Sequence, residues 1–217
     1  MRRDRKNFRF DNRTEAGAAL AVVLTNRAWS SPVVLGLARG GVPVAAPIAE
    51  ALGAKLDVLV VRKIGAPRQP EYGLGAVTAD GVCQYDTAAL RALGLTEEDL
   101  RPIHDREQLE ARRRAQVYKG RNGPPEVHGC DVLIVDDGLA TGITAAVAVR
   151  AVRKTGAAHV IVAAPVGAPA ALARLTEADA VYCLARPANF RAVGEWYRDF
   201  DQVSDNQVRR WLRPEGG

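Results

Sequence analysis

Apolar residues in this 217-residue chain fall in short continuous runs rather than in long alternating ones. VVLGL at 33–37, KLDVLVV at 55–61, VLIV at 132–135, HVIVA at 159–163 and AVYCL at 180–184 are the main examples. A strand covered on both faces reads this way, because neither side-chain direction meets water. Alanine- and leucine-rich stretches of helical character lie before and between them, at Thr14 to Leu24, Val42 to Leu52, Ile143 to Lys154 and Ala168 to Glu177. Strand and helix alternate from Val33 onward. The pattern predicts an α/β fold: a doubly wound, mostly parallel sheet with helices on both faces.

Two stretches depart from the alternation. RKIGAPRQPEYGLG, from Arg62 to Gly75, carries so many glycines and prolines that it reads as a long polar loop. AVTADGVCQY follows as a hairpin, with Asp80-Gly81 as its turn. From Asp86 the chain turns helical. DTAALRALG is a short helix, TEEDL a cap, and DREQLEARRRAQVYKG one charged, exposed helix with acids early and bases late, as the helix dipole favours. The expected organisation is one domain over 1–217, a hairpin-helical insertion at 79–129, and a small C-terminal hood with a helix at 187–217. The hood reading rests on Phe190, Trp196, Tyr197 and Phe200, which crowd a region without strand character.

Composition narrows the partners. A net formal charge of +5 favours anionic ligands. The basic residues are scattered apart from RRDRK at the start, and aromatics make up only 6% of the chain, which argues against a nucleic-acid platform. Arg112, Arg113 and Arg114 share their helix with Glu107 and Glu110, so a solvated helical face explains them. Cys83, Cys130 and Cys183 form no CxxC pair, and Cys83 and Cys183 read as small apolar strand residues. No run approaches the ~20 apolar residues of a membrane span, and the basic N-terminus has no signal-peptide core. A reducing cytoplasm is the expected compartment. His104, His128 and His159 make no zinc spacing, and Ser30 and Ser31 sit in no nucleophile elbow.

The chemistry concentrates at VLIVDDGLATGIT, Val132 to Thr144. A buried strand ends in two adjacent carboxylates, and small residues then turn the chain into a helix. In an open parallel sheet this is the ligand-binding edge. Gly138 to Thr144 would let backbone N–H groups approach a phosphate at a helix N-terminus, with the Thr141 and Thr144 hydroxyls beside it. Asp136 and Asp137 would accept hydrogen bonds from vicinal hydroxyls, or hold a divalent cation directly or through water. The stretch is neither a Walker loop nor a dinucleotide fingerprint. GLARGGVPVAAPIA, Gly36 to Ala49, repeats the logic: a strand ends, Arg39 projects, Gly40 and Gly41 expose backbone donors, and a helix begins.

VLIVDDGLATGIT resembles the signature of the type I phosphoribosyltransferases. The resemblance covers about Val33 to Leu184 and implies the following. The substrate would be 5-phosphoribosyl 1-pyrophosphate, with Mg²⁺ as cofactor and a nucleobase or other nitrogen compound as acceptor. Asp136 and Asp137 would hold the ribose hydroxyls and the metal. Ala140, Thr141, Gly142, Ile143 and Thr144 would wrap the 5′-phosphate. Arg39, Gly40 and Gly41 would form the pyrophosphate loop, with a non-proline cis peptide near Leu37 to Gly40. Arg62 and Lys63 would open a loop that closes over the substrate; Arg62, Lys63 and Arg68 would neutralise pyrophosphate, and Glu71 is a further site candidate. Asp136, Asp137, Arg39 and Lys63 are the expected catalytic set. The N-terminal segment and Pro187 to Phe200 would form the hood over the acceptor, and the chain would form a homodimer. No hood motif names the acceptor. The alternative is a non-catalytic regulator that binds the same ligand and contacts RNA or protein.

Overall fold

The computed structural model describes residues 9–119 and 126–212. In chain order the elements are α1 (Arg13–Leu24), β1 (Val33–Leu37), α2 (Gly41–Leu52), β2 (Lys55–Leu59), β3 (Val61–Ala66), β4 (Gln69–Thr78), β5 (Cys83–Tyr85) and α3 (Thr87–Leu93). A 3-10 turn at Glu98–Leu100 leads to α4 (Arg101–Lys119), then β6 (Asp131–Val135), α5 (Ile143–Arg153), β7 (His159–Val166), α6 (Pro169–Ala173) and β8 (Ala180–Ala185). A second 3-10 turn, Val193–Trp196, precedes α7 (Asp205–Leu212).

Five strands form a parallel sheet in the order β2-β1-β6-β7-β8. Their residues alternate between two apolar layers, as the period-two pleat requires. Val34, Leu133, Val135 and Ile161 pack with Leu20, Leu24 and Ile48 of α1 and α2. Val33, Leu35, Val132, Ile134 and Val160 face Val147, Val149 and Val152 of α5 on the other side. Helices therefore cover both faces, as the continuous apolar runs predict. From β1 the chain winds outward to β2; from β6 it winds the other way to β7 and β8. The sheet reverses direction between β1 and β6, and ligands of open α/β sheets bind at such a reversal.

The stretch read as a long loop is ordered otherwise. β3, β4 and β5 form a separate three-stranded antiparallel sheet. The Lys55–Val61 run is split accordingly: β2 ends at Leu59, and from Val61 the chain enters the second sheet. The glycines that suggested a loop serve close strand contact. A Cβ on Gly65 would lie 2.1 Å from the Pro70 carbonyl oxygen, and the β3–β4 register shifts on either side of this residue. The Asp80-Gly81 turn is where the sequence places it, with Gly81 at φ +92°.

α4 begins at Arg101, ahead of the stretch read as the helix, and its first turn holds no acidic residue. Nor is it a fully exposed helix. Ala111 and Tyr118 are buried in a cluster with Val42, Val58, Val60 and Val208. Glu107 is buried as well, and takes both Arg62 and Arg106. Residues 120–125 of the expected insertion lie outside the described residues.

Asp86 fastens the helical segment to the main sheet layer. Its Oδ1 accepts the Ala89 N–H at 3.0 Å and caps α3, while its Oδ2 accepts from Arg174 Nη2 at 2.8 Å. The Ala89 hydrogen bond and the Arg174 guanidinium hold this carboxyl below its ordinary range against the opposing effect of burial. A carboxyl depressed in the folded state contributes stability above its unfolded pKa, and that contribution fades as pH falls through the folded value. Asp86→Ala should cost about 1–2 kcal/mol at neutral pH. Urea unfolding at pH 7 and pH 3 should show the wild-type advantage shrinking at the lower pH.

Candidate functional site

The loops after β1 and β6 meet at the reversal point. A cis peptide bond joins Ala38 to Arg39, within the predicted Leu37 to Gly40 window. The Ala38 N–H donates to the Leu59 carbonyl at 3.0 Å, which ties this loop to the end of β2. α2 then starts at Gly41 with Gly40 as its cap. Both glycines press on the acidic loop. A Cβ on Gly40 would fall 2.0 Å from Asp137 Oδ2, and one on Gly41 would fall 2.3 Å from the Val135 carbonyl oxygen. A side chain at Gly40 would displace the Asp137 carboxylate, and one at Gly41 would force the two backbones apart.

The loop after β6 is stitched to its neighbour. The Leu139 N–H donates to the Val166 carbonyl at 2.9 Å, and the Ala168 N–H to the Leu139 carbonyl at 2.9 Å. α5 opens at Gly142 in the left-handed conformation, φ +76°, with no side-chain cap. The first N–H groups of a helix have no intrahelical partner, so this end offers donors and positive dipole to an anion. Thr141 and Ala140 are exposed at the turn, Gly142 and Ile143 are buried, and Thr144 lies between. Gly142 also has a structural duty that sequence alone did not suggest: a Cβ there would sit 2.5 Å from the Ala171 carbonyl oxygen of α6.

Asp136 and Asp137 stand where β6 ends. The Asp137 N–H donates to Asp136 Oδ1 at 2.9 Å. Burial and the neighbouring Asp137 charge push the Asp136 carboxyl well above the ordinary range. Burial also raises Asp137, with Arg13 opposing it. Two adjacent desolvated carboxylates are costly unless cations or several donors reach them.

Part of that compensation comes from Arg13, which the sequence did not single out. Arg13 Nε donates to Asp137 Oδ2 at 2.8 Å, with the two side chains 11% and 16% exposed. The Tyr197 hydroxyl donates to the Asp137 main-chain carbonyl at 2.6 Å. The tail pairs with the segment that leads into α1. The Phe10 N–H donates to the Trp196 carbonyl and the Arg198 N–H to the Phe10 carbonyl, both at 2.9 Å. Phe10 and Tyr197 are buried together against Trp196 and Phe200. Residues 1–8 and 213–217, also assigned to the N-terminal segment and the C-terminal hood, lie outside the described residues.

The predicted cations are disposed differently. Arg39 Nη1 lies 3.7 Å from Asp205 Oδ1 at the start of α7. Arg62 donates twice to Glu107 Oε2, at 2.9 and 2.7 Å. Lys63 Nζ donates to the Glu71 carbonyl at 2.8 Å and lies 3.3 Å from its carboxylate. Arg62 and Lys63 line a cleft of about 590 Å³ between the β3–β4 ribbon and α4, together with Arg106, Glu107 and Ile103, and the acidic pair is not part of its lining. The structure thus brings Gly40, Gly41, Asp136 and Asp137 together at one edge. Arg62 and Lys63 face acids of their own, and Arg68 lies at the ribbon tip between β3 and β4.

The chain is 44% identical over 205 residues to proteins of two Mycobacterium tuberculosis strains, each described provisionally as a phosphoribosyl transferase. The match takes in 94% of this chain and 46% of theirs, so the chain spans less than half the length of those relatives. The crystal structure of TT1426 from Thermus thermophilus superposes with a TM-score of 0.78 at 42% identity, over 94% of this chain and 97% of that one. A Neisseria gonorrhoeae protein solved with bound ppGpp shares the fold at a TM-score of 0.53 and 12% identity, over 94% of this chain and 93% of that one. The phosphoribosyl transferase domain profile matches residues 11–197, a span that holds β1 to β8, both glycine-bearing loops and the acidic pair, and the chain belongs to that family.

Proposed function

We propose that the chain is a phosphoribosyltransferase that takes 5-phosphoribosyl 1-pyrophosphate and a nitrogen acceptor and releases pyrophosphate. The observation that carries this reading is the contact of the Arg39-Gly40-Gly41 loop with Asp136 and Asp137 at the reversal between β1 and β6. The α5 N-terminus, with Ala140 to Thr144, receives the 5′-phosphate. Asp136 and Asp137 take the ribose hydroxyls, and the Arg39 loop takes the pyrophosphate. The bond from C1 to the pyrophosphate oxygen breaks with its electron pair on the leaving group, and the acceptor's nitrogen lone pair forms the new bond to C1. The chain's part is to orient the ring and stabilise charge. The acceptor is a nucleobase or another nitrogen compound.

Mg²⁺ fits the donor set. This ion commonly keeps several waters and takes one or two carboxylates plus substrate phosphate oxygens. Two carboxylates raised by burial supply that number and gain from a cation beside them. When bound, the metal would neutralise charge on the diphosphate.

The second reading is a non-catalytic binding protein. Its specific support is that Arg39, Arg62 and Lys63 already face Asp205, Glu107 and Glu71, so the cations expected to meet pyrophosphate have other partners. Both readings expect calorimetry to detect 5-phosphoribosyl 1-pyrophosphate binding that strengthens with Mg²⁺. No binding with the metal present would reject both; binding without acceptor-dependent turnover would favour the second.

A further inference from the structure

We propose that Arg13 is a positioning residue for substrate binding: it holds Asp137 in the orientation that engages the ribose, and it is itself held by the aromatic tail. Arg13 belongs to the first turn of α1 and lies 124 residues from Asp137 in sequence. Three groups fix its guanidinium. Nε donates to Asp137 Oδ2 at 2.8 Å, Nη1 donates to the Asp201 carbonyl at 2.9 Å, and the Phe200 ring centroid lies 3.9 Å from its central carbon. The Tyr197 ring adds a fourth contact at 5.9 Å. A planar fork that bonds in two directions while stacking on a ring is arginine geometry, which lysine cannot reproduce.

The same tail grips the Asp137 backbone. The Tyr197 hydroxyl bonds the Asp137 carbonyl at 2.6 Å. A Cβ on Gly138 would lie 2.5 Å from the Val193 side chain, so tail and acidic loop are in direct contact. Asp137 Oδ2 sits between Arg13 and the backbone of Gly40. With that oxygen committed, contact with ribose hydroxyls falls to Oδ1 and to Asp136. Arg13 also offsets the charge of one member of a pair whose negative charges repel. Without it, Asp137 would be free to turn, and the two carboxylates would have to be reordered each time substrate entered. A preorganised site avoids that cost.

The proposal rests on the ligand reading given above, and a double-mutant cycle separates the two. Binding of 5-phosphoribosyl 1-pyrophosphate with Mg²⁺ is measured for wild type, Arg13→Gln, Asp137→Ala and the double variant, each with its melting temperature. Loss of a charge-assisted hydrogen bond at this site should weaken binding about tenfold or more in Arg13→Gln. In the Asp137→Ala background, where no side-chain acceptor remains, the same change should add less than about a twofold loss, because its route of action is gone. Arg13→Lys should recover part of the affinity. A purely structural role would lower the melting temperature in both backgrounds and leave affinity unchanged below it. That result, or an equal loss of affinity in both backgrounds, overturns the proposal. If Arg13→Gln does not fold, Phe200→Leu replaces it in the cycle: it keeps the arginine and removes its stacking partner, and the same non-additivity with Asp137→Ala is expected. Wild-type protein that binds no 5-phosphoribosyl 1-pyrophosphate rejects the ligand reading and this role together; wild-type binding with an additive cycle rejects only the role.

Discussion

Replacing Asp136 and Asp137 together by asparagine should cut pyrophosphate release at least about a hundredfold, the scale of losing a group aimed at transition-state charge. Stability should be retained. Burial already pushes both carboxyls up, so their ionised forms are costly in the free protein, and amides of the same shape remove that cost. After Asp137→Asn the amide oxygen can still accept from Arg13 Nε. A variant that unfolds as the wild type does while losing activity marks the pair as functional; a large drop in melting temperature would mark it as structural. Sites kept for function at a cost in stability behave in the first way.

Gly41→Ala should be among the most damaging single methyls in the chain's two loops. Its Cβ would meet the Val135 carbonyl oxygen at 2.3 Å, and both partners are backbone, so neither can turn aside. Forcing the loops apart should cost about 1–3 kcal/mol. It should also weaken 5-phosphoribosyl 1-pyrophosphate binding by about tenfold or more, on the order of what small misplacements cost an aligned site. Gly53→Ala gives the control. That residue adopts φ +58° with nothing within 4 Å of an added Cβ. It should lose about 1–2 kcal/mol through backbone strain and leave binding intact. Equal effects of the two variants on affinity would contradict the close-approach argument.

The parallel sheet was legible because burial on both faces writes itself as an unbroken apolar run. VLIV at 132–135 needs no partner in view to be read as a core strand. The acidic pair was legible because its ligand chemistry is local: carboxylates, small residues and a helix start all lie between Val132 and Thr144. The β3–β4 ribbon was not. Gly65, Pro67, Pro70, Gly73 and Gly75 look like loop punctuation, yet Gly65 is there to let Pro70 come close. That need exists only once the two strands are paired. Arg13 and the contact made by Tyr197 were missed for a related reason. They reach Asp137 from 124 and 60 residues away, and no spacing rule links them. The aromatic density of the tail was visible, but what it held was not. The partners of the cations were equally out of reach: Arg62 and Lys63 follow an apolar run as expected, and only the fold sets them against Glu107 and Glu71.

The central claim is that this edge of the sheet transfers a phosphoribosyl group. The most direct measurement is pyrophosphate release from 5-phosphoribosyl 1-pyrophosphate with Mg²⁺, across a panel of nucleobases and other nitrogen acceptors, for wild type beside the Asp136→Asn/Asp137→Asn variant. The account predicts release that depends on one class of acceptor and disappears in the double variant. Release that is independent of acceptor, or that persists in the variant, or no turnover with any acceptor despite tight binding, would contradict it.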